Sequence, residues 1–136
     1  MITIEQLKEI QLRAEKLKQY LAIDEKRVQL EEEELRTQDP GFWEDAKAAE
    51  AQMRKVKGIK AWIEGYEGVR AATEELQLAF DYCKEELVTE DEVDAAYAHA
   101  VKEVEALEMK NMLSHEEDQM PAVLKIVSGA GGTEAQ

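Results

Sequence analysis

The sequence predicts an all-α protein: an antiparallel helical bundle with coiled-coil-like arms, three to four long helices in all, followed by one strand that opens a truncated α+β domain. Three observations predict it. Apolar residues recur in steps of three and four over most of the chain. Two Thr-x-x-Gln/Glu capping signals and one Pro-Gly turn divide that periodicity into arms. From Ala122 onward the chain abandons the pattern for a β-branched run and a glycine loop. The expected organisation is a helical domain over 1–118 and, over 119–136, the first strand and glycine loop of the next domain. A lone strand is not a stable end point, so the sequence reads as part of a longer protein.

Thr3 followed by Gln6 forms the first capping signal. Behind it Leu7, Ala14, Leu21, Val28 and Leu35 recur every seventh position, with Ile10 and Leu17 between them. Asp24 and Glu31 occupy the next two intermediate positions, which predicts a bend or helix restart near Ile23-Asp24 with Asp24 as N-cap. The stretch Thr37-Gln-Asp-Pro-Gly-Phe-Trp43 ends this arm, because proline biases the residue before it away from helix. Phe42 and Trp43 are expected to plug one end of the bundle, burying about 150–250 Å² each.

The second arm carries Ala46, Ala49, Met53, Val56, Ile59, Ile63, Tyr66, Val69, Leu76, Phe80, Cys83 and Leu87 on one stripe, with a slip near Thr73. Unbroken from Phe42 to Leu87 it would run roughly 70 Å. Gly58, Gly65 and Gly68 each cost about 1 kcal/mol relative to alanine, which places a bend near Gly65–Gly68. Thr89 to Glu92 is the second capping signal and opens a third arm with Val93, Tyr97, Ala100, Val104, Leu107 and Met112 as its apolar face. The polar run from His115 and then Pro121 end the helical part near Ser114. Three amphipathic arms joined by short turns cover one another in an antiparallel bundle, although the same stripes could be satisfied between two chains, so the oligomeric state stays open.

Asp and Glu number 31 against 17 Lys and Arg, a net charge of −14, so the chain as a whole repels nucleic acid and anionic membranes. Any RNA contact is therefore local. One cysteine and two histidines supply too few ligands for a structural zinc site, and no metal or cofactor is expected. The first thirty residues hold charges every few positions and no apolar block, so the expected location is the cytoplasm, away from membranes.

Gly129, Gly131 and Gly132 invite a phosphate-loop reading, but Thr133-Glu134 stand where that loop needs Lys-Ser/Thr, and the carboxylate would repel phosphate. A turn accounts for these glycines better. Glu31 to Glu34 read as a solvated helix face, His99 as a surface residue and Cys83 as an unreactive thiol on the apolar seam. No catalytic residue is assigned, and the chain is not expected to be an enzyme. One local reversal of charge stands out, Met53-Arg-Lys-Val-Lys-Gly-Ile-Lys60. Its Arg54, Lys55, Lys57 and Lys60 could touch phosphates of a large RNA, or pair with acids of a neighbouring arm.

The string Ser128-Gly-Ala-Gly-Gly-Thr-Glu-Ala-Gln136, preceded by Leu124-Lys-Ile-Val, resembles the opening of the second domain of the bacterial class I peptide chain release factors. Tyr20-Leu-Ala-Ile-Asp-Glu-Lys and Gln38-Asp-Pro-Gly-Phe-Trp-Glu-Asp45 are similar to that family's amino-terminal domain, and the Gly-Gly-Thr-Glu-Ala-Gln string with Asp-Pro-Gly-Phe-Trp favours factor 2 over factor 1. Asp39, Pro40, Phe42, Trp43, Gly129, Gly131, Gly132, Thr133 and Glu134 carry the signature. The resemblance implies a protein of the ribosomal A site that reads UAA and UGA and triggers hydrolysis of peptidyl-tRNA. It implies a helical domain near the stalk base of the large subunit, among rRNA and ribosomal proteins, with the mRNA stop codon reached through other domains. The family's Gly-Gly-Gln and Ser-Pro-Phe elements do not occur in residues 1–136, and Gly131-Gly132-Thr133 is not the hydrolytic loop. Two other readings are a stand-alone acidic coiled-coil adaptor and an enzyme with a phosphate loop. Reading the gene past Gln136 separates them.

Overall fold

Thr3 starts the first helix as its spacing predicts. Its Oγ1 accepts from the Gln6 N–H at 3.1 Å, and the Gln6 Oε1 accepts from the Thr3 N–H at 2.8 Å. The computed structural model describes residues 1–119, and these are all-α: α1 (Ile4–Tyr20), α2 (Ile23–Arg36), a 3-10 turn (Phe42–Glu44), α3 (Ala46–Lys84) and α4 (Glu90–Gln119). The predicted strand and the glycines at 129, 131 and 132, with Thr133 and Glu134, lie outside the described residues.

α1 buries Leu7, Ile10, Ala14 and Leu17, and Leu21 continues the seam. There the seven-residue pattern stops, for Val28 is 58% and Leu35 62% exposed. The cause is Ala22, whose φ of 50° and ψ of 53° put a left-handed residue between the helices and rotate the buried stripe onto Ile23 and Glu33, with Leu30 half-buried between them. A restart at this point is as expected, but Asp24 is not its cap. Ala22 holds the cap position without a side-chain bond, and Asp24 sits in the first turn, where its charge suits the helix dipole.

The aromatic pair does not plug the bundle. Phe42 is half-buried and Trp43 is 63% exposed, the two rings meeting edge to face at 4.6 Å. Their turn packs on α3 beyond the reach of the main core, which draws on α1, Ile23, the Tyr66–Phe80 stretch of α3 and the Val93–Leu107 stretch of α4.

α3 begins at Asp45, whose carboxylate accepts from the Ala48 N–H at 3.1 Å, and stays helical for 39 residues. It continues as one helix through Gly58, Gly65 and Gly68. Gly65 and Gly68 face α4: a Cβ at Gly65 would lie 3.0 Å from the Leu107 Cδ1, and one at Gly68 2.8 Å from the Glu103 Oε1. Gly65, set against a packed core side chain, serves close helix approach. Val69 and Leu76 are fully buried at the seam's centre, whereas Ile63 and Cys83 are half-buried and Met53 and Leu87 exposed. The helix closes in a Schellman motif, with Leu87 N–H donating to the Tyr82 carbonyl at 2.9 Å and Glu86 N–H to that of Cys83 at 3.0 Å. Glu86 occupies the left-handed position at φ 61°.

Thr89 Oγ1 accepts from the Glu92 N–H at 3.2 Å and starts α4. Val93, Ala96, Ala100, Val104 and Leu107 are buried, Tyr97 is half-buried, and Met112, expected on this face, is 52% exposed. Residue 112 is five positions, or roughly 140° of helix rotation, beyond Leu107 and so turns outward. Helix direction follows from the contacts between arms. Gln11 bonds Gln77 while Arg27 bonds Glu67, so α1 and α2 together run antiparallel to α3. Ile2 bonds Asp94 and Arg13 bonds Glu108, so α4 returns parallel to α1. The bundle is an up-down-up arrangement with α3 as its shared spine.

Candidate functional site

The basic patch lies on the half of α3 that pairs with α2. Rotation by about 100° per residue puts Arg54 and Lys57 on one outward face, while Lys55 and Lys60 flank the α2 side. Lys55 Nζ reaches the Glu33 carboxylate at 3.2 Å, and Lys60 Nζ reaches that of Glu34 at 3.2 Å. Arg54 pairs within its own helix, 3.0 Å from Glu50, with both side chains about 70% exposed. Lys57 is exposed and makes none of the ion pairs found among the described residues. The four cations thus divide: Lys55 and Lys60 tie the helices together, and Arg54 and Lys57 face solvent.

Glu33 is the residue that the sequence reading missed. It is 6% exposed, not part of a solvated face. Gln52 Nε2 donates to its Oε1 at 2.7 Å and to its backbone carbonyl at 2.9 Å, and Arg36 lies 3.4 Å away on the open side. The hydrogen bond from Gln52, then that from Lys55, hold the carboxyl below its ordinary range, because both favour the charged form. A second carboxylate, Glu67, is lowered by Arg70 first and by Arg27 of α2 as well. The α2–α3 arm is therefore joined by a ladder of charge pairs, Glu33–Lys55, Glu34–Lys60 and Arg27–Glu67. The one sequence signal for it is that cations at 55 and 60 must find carboxylates on whichever helix α3 meets first.

The signature residues of the turn are ordered by local bonds. Asp39 Oδ1 accepts from the Gly41 N–H at 3.2 Å, and the Asp39 carbonyl accepts from the Phe42 N–H at 2.9 Å. Pro40 is exposed between them. Elsewhere Trp62 is half-buried beneath Lys110, whose ammonium lies 4.4 Å from the ring centroid. Arg13 grips Glu108 with two nitrogens, at 3.1 and 2.6 Å, closing α1 on α4. His99 is exposed and Cys83 half-buried against the core. No helix among the described residues is long and apolar enough to cross a membrane.

A PCRF domain family model matches residues 24–136. Peptide chain release factor 2 of Pseudoalteromonas translucida (strain TAC 125) is 34% identical over 137 residues, covering 98% of this chain and 37% of that relative. Release factor 2 of Acidithiobacillus ferrooxidans is 35% identical over 132 residues, covering 94% and 36%. That of Listeria innocua serovar 6a is 32% identical over 136 residues, again covering 94% and 36%. The chain thus spans little more than a third of the length of these relatives, and no solved structure matches it. With the family model matching most of its length, the chain belongs to the PCRF domain family and is a relative of the bacterial peptide chain release factor 2 proteins.

Proposed function

We propose that this chain is the helical ribosome-contact domain of a translation termination factor of the release factor 2 kind. The observation that carries the reading is the similarity to release factor 2 over 98% of the chain. On this reading the whole protein acts in the cytoplasm, enters the ribosomal A site, recognises UAA and UGA and triggers hydrolysis of peptidyl-tRNA. The residues 1–136 contain neither Gly-Gly-Gln nor Ser-Pro-Phe, so their part is contact and not chemistry. The contact is with the stalk base of the large subunit, where rRNA and ribosomal proteins meet.

The geometry narrows the RNA-facing candidates. Lys55 and Lys60 are engaged by α2 carboxylates, and Arg54 and Lys57 remain on the outward face. A long α3, 39 residues or roughly 58 Å, is suited to carry such a face away from the body of a larger protein. The full-length protein should release peptide from ribosomes stalled at UAA and UGA but not at UAG, and residues 1–136 alone should release none. Release at UAG, or at none of the three, overturns the assignment. Replacing Arg54 and Lys57 by Glu in the full-length protein should weaken ribosome binding at low salt, with the difference shrinking as salt rises. Equal binding at low salt would remove the RNA contact and leave the family unchanged.

A further inference from the structure

Trp43 sits on a turn that is ordered without being buried. Phe42 N–H bonds the Asp39 carbonyl at 2.9 Å, Glu44 N–H that of Gly41 at 3.2 Å, and the carboxylates of Asp39 and Asp45 cap the backbone on either side. A large aromatic ring held 63% exposed on a fixed turn leaves little ordering entropy to be lost on association, and Trp is the residue type most often found as an interface anchor. The Phe42 ring, edge-on to it, lines a cleft of about 500 Å³ with Arg36, Asp39, Asp45 and Gln52.

Charge decides what this surface accepts. Asp39, Glu44 and Asp45, all exposed, lie within four residues of Trp43 along the chain, with Lys47 as the one nearby cation on that side, and the cation of the cleft, Arg36, already lies 3.4 Å from Glu33. Asp39 and Asp45 each use one carboxylate oxygen, Oδ1, for the cap, leaving the other for a partner. RNA phosphates would be repelled here, whereas a lysine or arginine could place its ammonium or guanidinium against these carboxylates and its stem over the Trp43 face. We infer that the Asp39–Asp45 turn is a docking knob for a lysine- and arginine-rich segment of a partner protein. The inference does not depend on the RNA contact of Arg54 and Lys57, which concerns a different face.

The test is a titration of the ¹⁵N-labelled 136-residue chain with a dodecapeptide of alternating lysine and alanine. A glutamate–alanine peptide and a 12-nucleotide single-stranded RNA serve as the other arms. The indole signal of Trp43, identified by its loss in Trp43→Ala, and the Gly41 amide should shift with the lysine peptide alone, while the Trp62 indole stays in place. Trp43→Ala should weaken binding roughly tenfold or more. Asp39→Asn with Asp45→Asn should weaken it and flatten its salt dependence while leaving the melting temperature in place, because asparagine caps as aspartate does. Unaltered affinity in Trp43→Ala, with shifts spread evenly over the acidic surface, overturns the inference. So does RNA shifting the Trp43 signal where the lysine peptide does not.

Discussion

At Ala22 the chain passes from α1 to α2 with φ 50°, a region where a Cβ crowds the following carbonyl and costs roughly 1–2 kcal/mol. Glu86 carries the same burden at φ 61° in the Schellman position that glycine usually fills. Ala22→Gly and Glu86→Gly should each stabilise the fold by about 0.5–1 kcal/mol in chemical denaturation, the relief of strain exceeding the added freedom of the unfolded chain. Lower stability in both would show that neither residue is strained. Glu33 gives a prediction of opposite character. Its folded pKa is depressed, so its contribution is present above the ordinary carboxylate value of 4.5 and is lost as pH falls through the folded value. Glu33→Gln should therefore lower the melting temperature at neutral pH and lessen the fall seen on acidification below 4.5. The caps at Thr3 and Thr89 were legible because their partners lie three residues away. Glu33 was not legible, because Gln52 lies nineteen residues off on another helix.

At the scale of elements, periodicity located the helices of the described residues and the stripe of α1, and misjudged where the later stripes turn. A seven-residue count assumes one continuous rotation, and Ala22 interrupts it, so Val28 and Leu35 emerge into solvent. Likewise what each glycine of α3 costs depends on its neighbours. Gly58 has nothing within 4 Å of a built Cβ, so Gly58→Ala should gain about the full 1 kcal/mol of helix propensity. At Gly68 the obstacle is the mobile end of the Glu103 side chain, which can swing aside, and most of the gain should survive. At Gly65 it is the tip of Leu107, a residue only 4% exposed in a packed core, so the gain should be smaller or reversed. Melting temperatures in the order Gly58→Ala, Gly68→Ala, Gly65→Ala are the expected result. An equal gain at Gly65 would mean that α4 does not depend on close approach there.

Over the whole molecule, two kinds of cohesion share one spine. The main core joins α1, α4 and the Tyr66–Phe80 stretch of α3 through residues such as Leu7, Ile10, Val69, Leu76, Val93 and Val104, each at most 1% exposed. The α2–α3 arm beyond it buries Ala49, Val56 and Ile59 outside that cluster and relies on the ladder of Glu33, Glu34 and Arg27 pairs. Apolar burial is insensitive to moderate salt, while partly exposed ion pairs weaken as the Debye length falls to about 3 Å at 1 M. A net charge of −14 adds self-repulsion that the same salt relieves throughout the molecule. Salt should therefore move the two regions in opposite directions. In native-state hydrogen exchange the amides of 66–80 and 93–107 should be slowest, opening only with global unfolding, and those of 48–60 should exchange through a local opening of lower free energy. Raising salt to 1 M should reduce protection in 48–60 and preserve or increase it in the core. Leu76→Ala should cost about 2–5 kcal/mol and accelerate exchange everywhere, whereas Val56→Ala should accelerate it in the arm alone. Uniform protection from 48 to 80, with a single salt response, would mean that α3 transmits one cooperative unit from end to end.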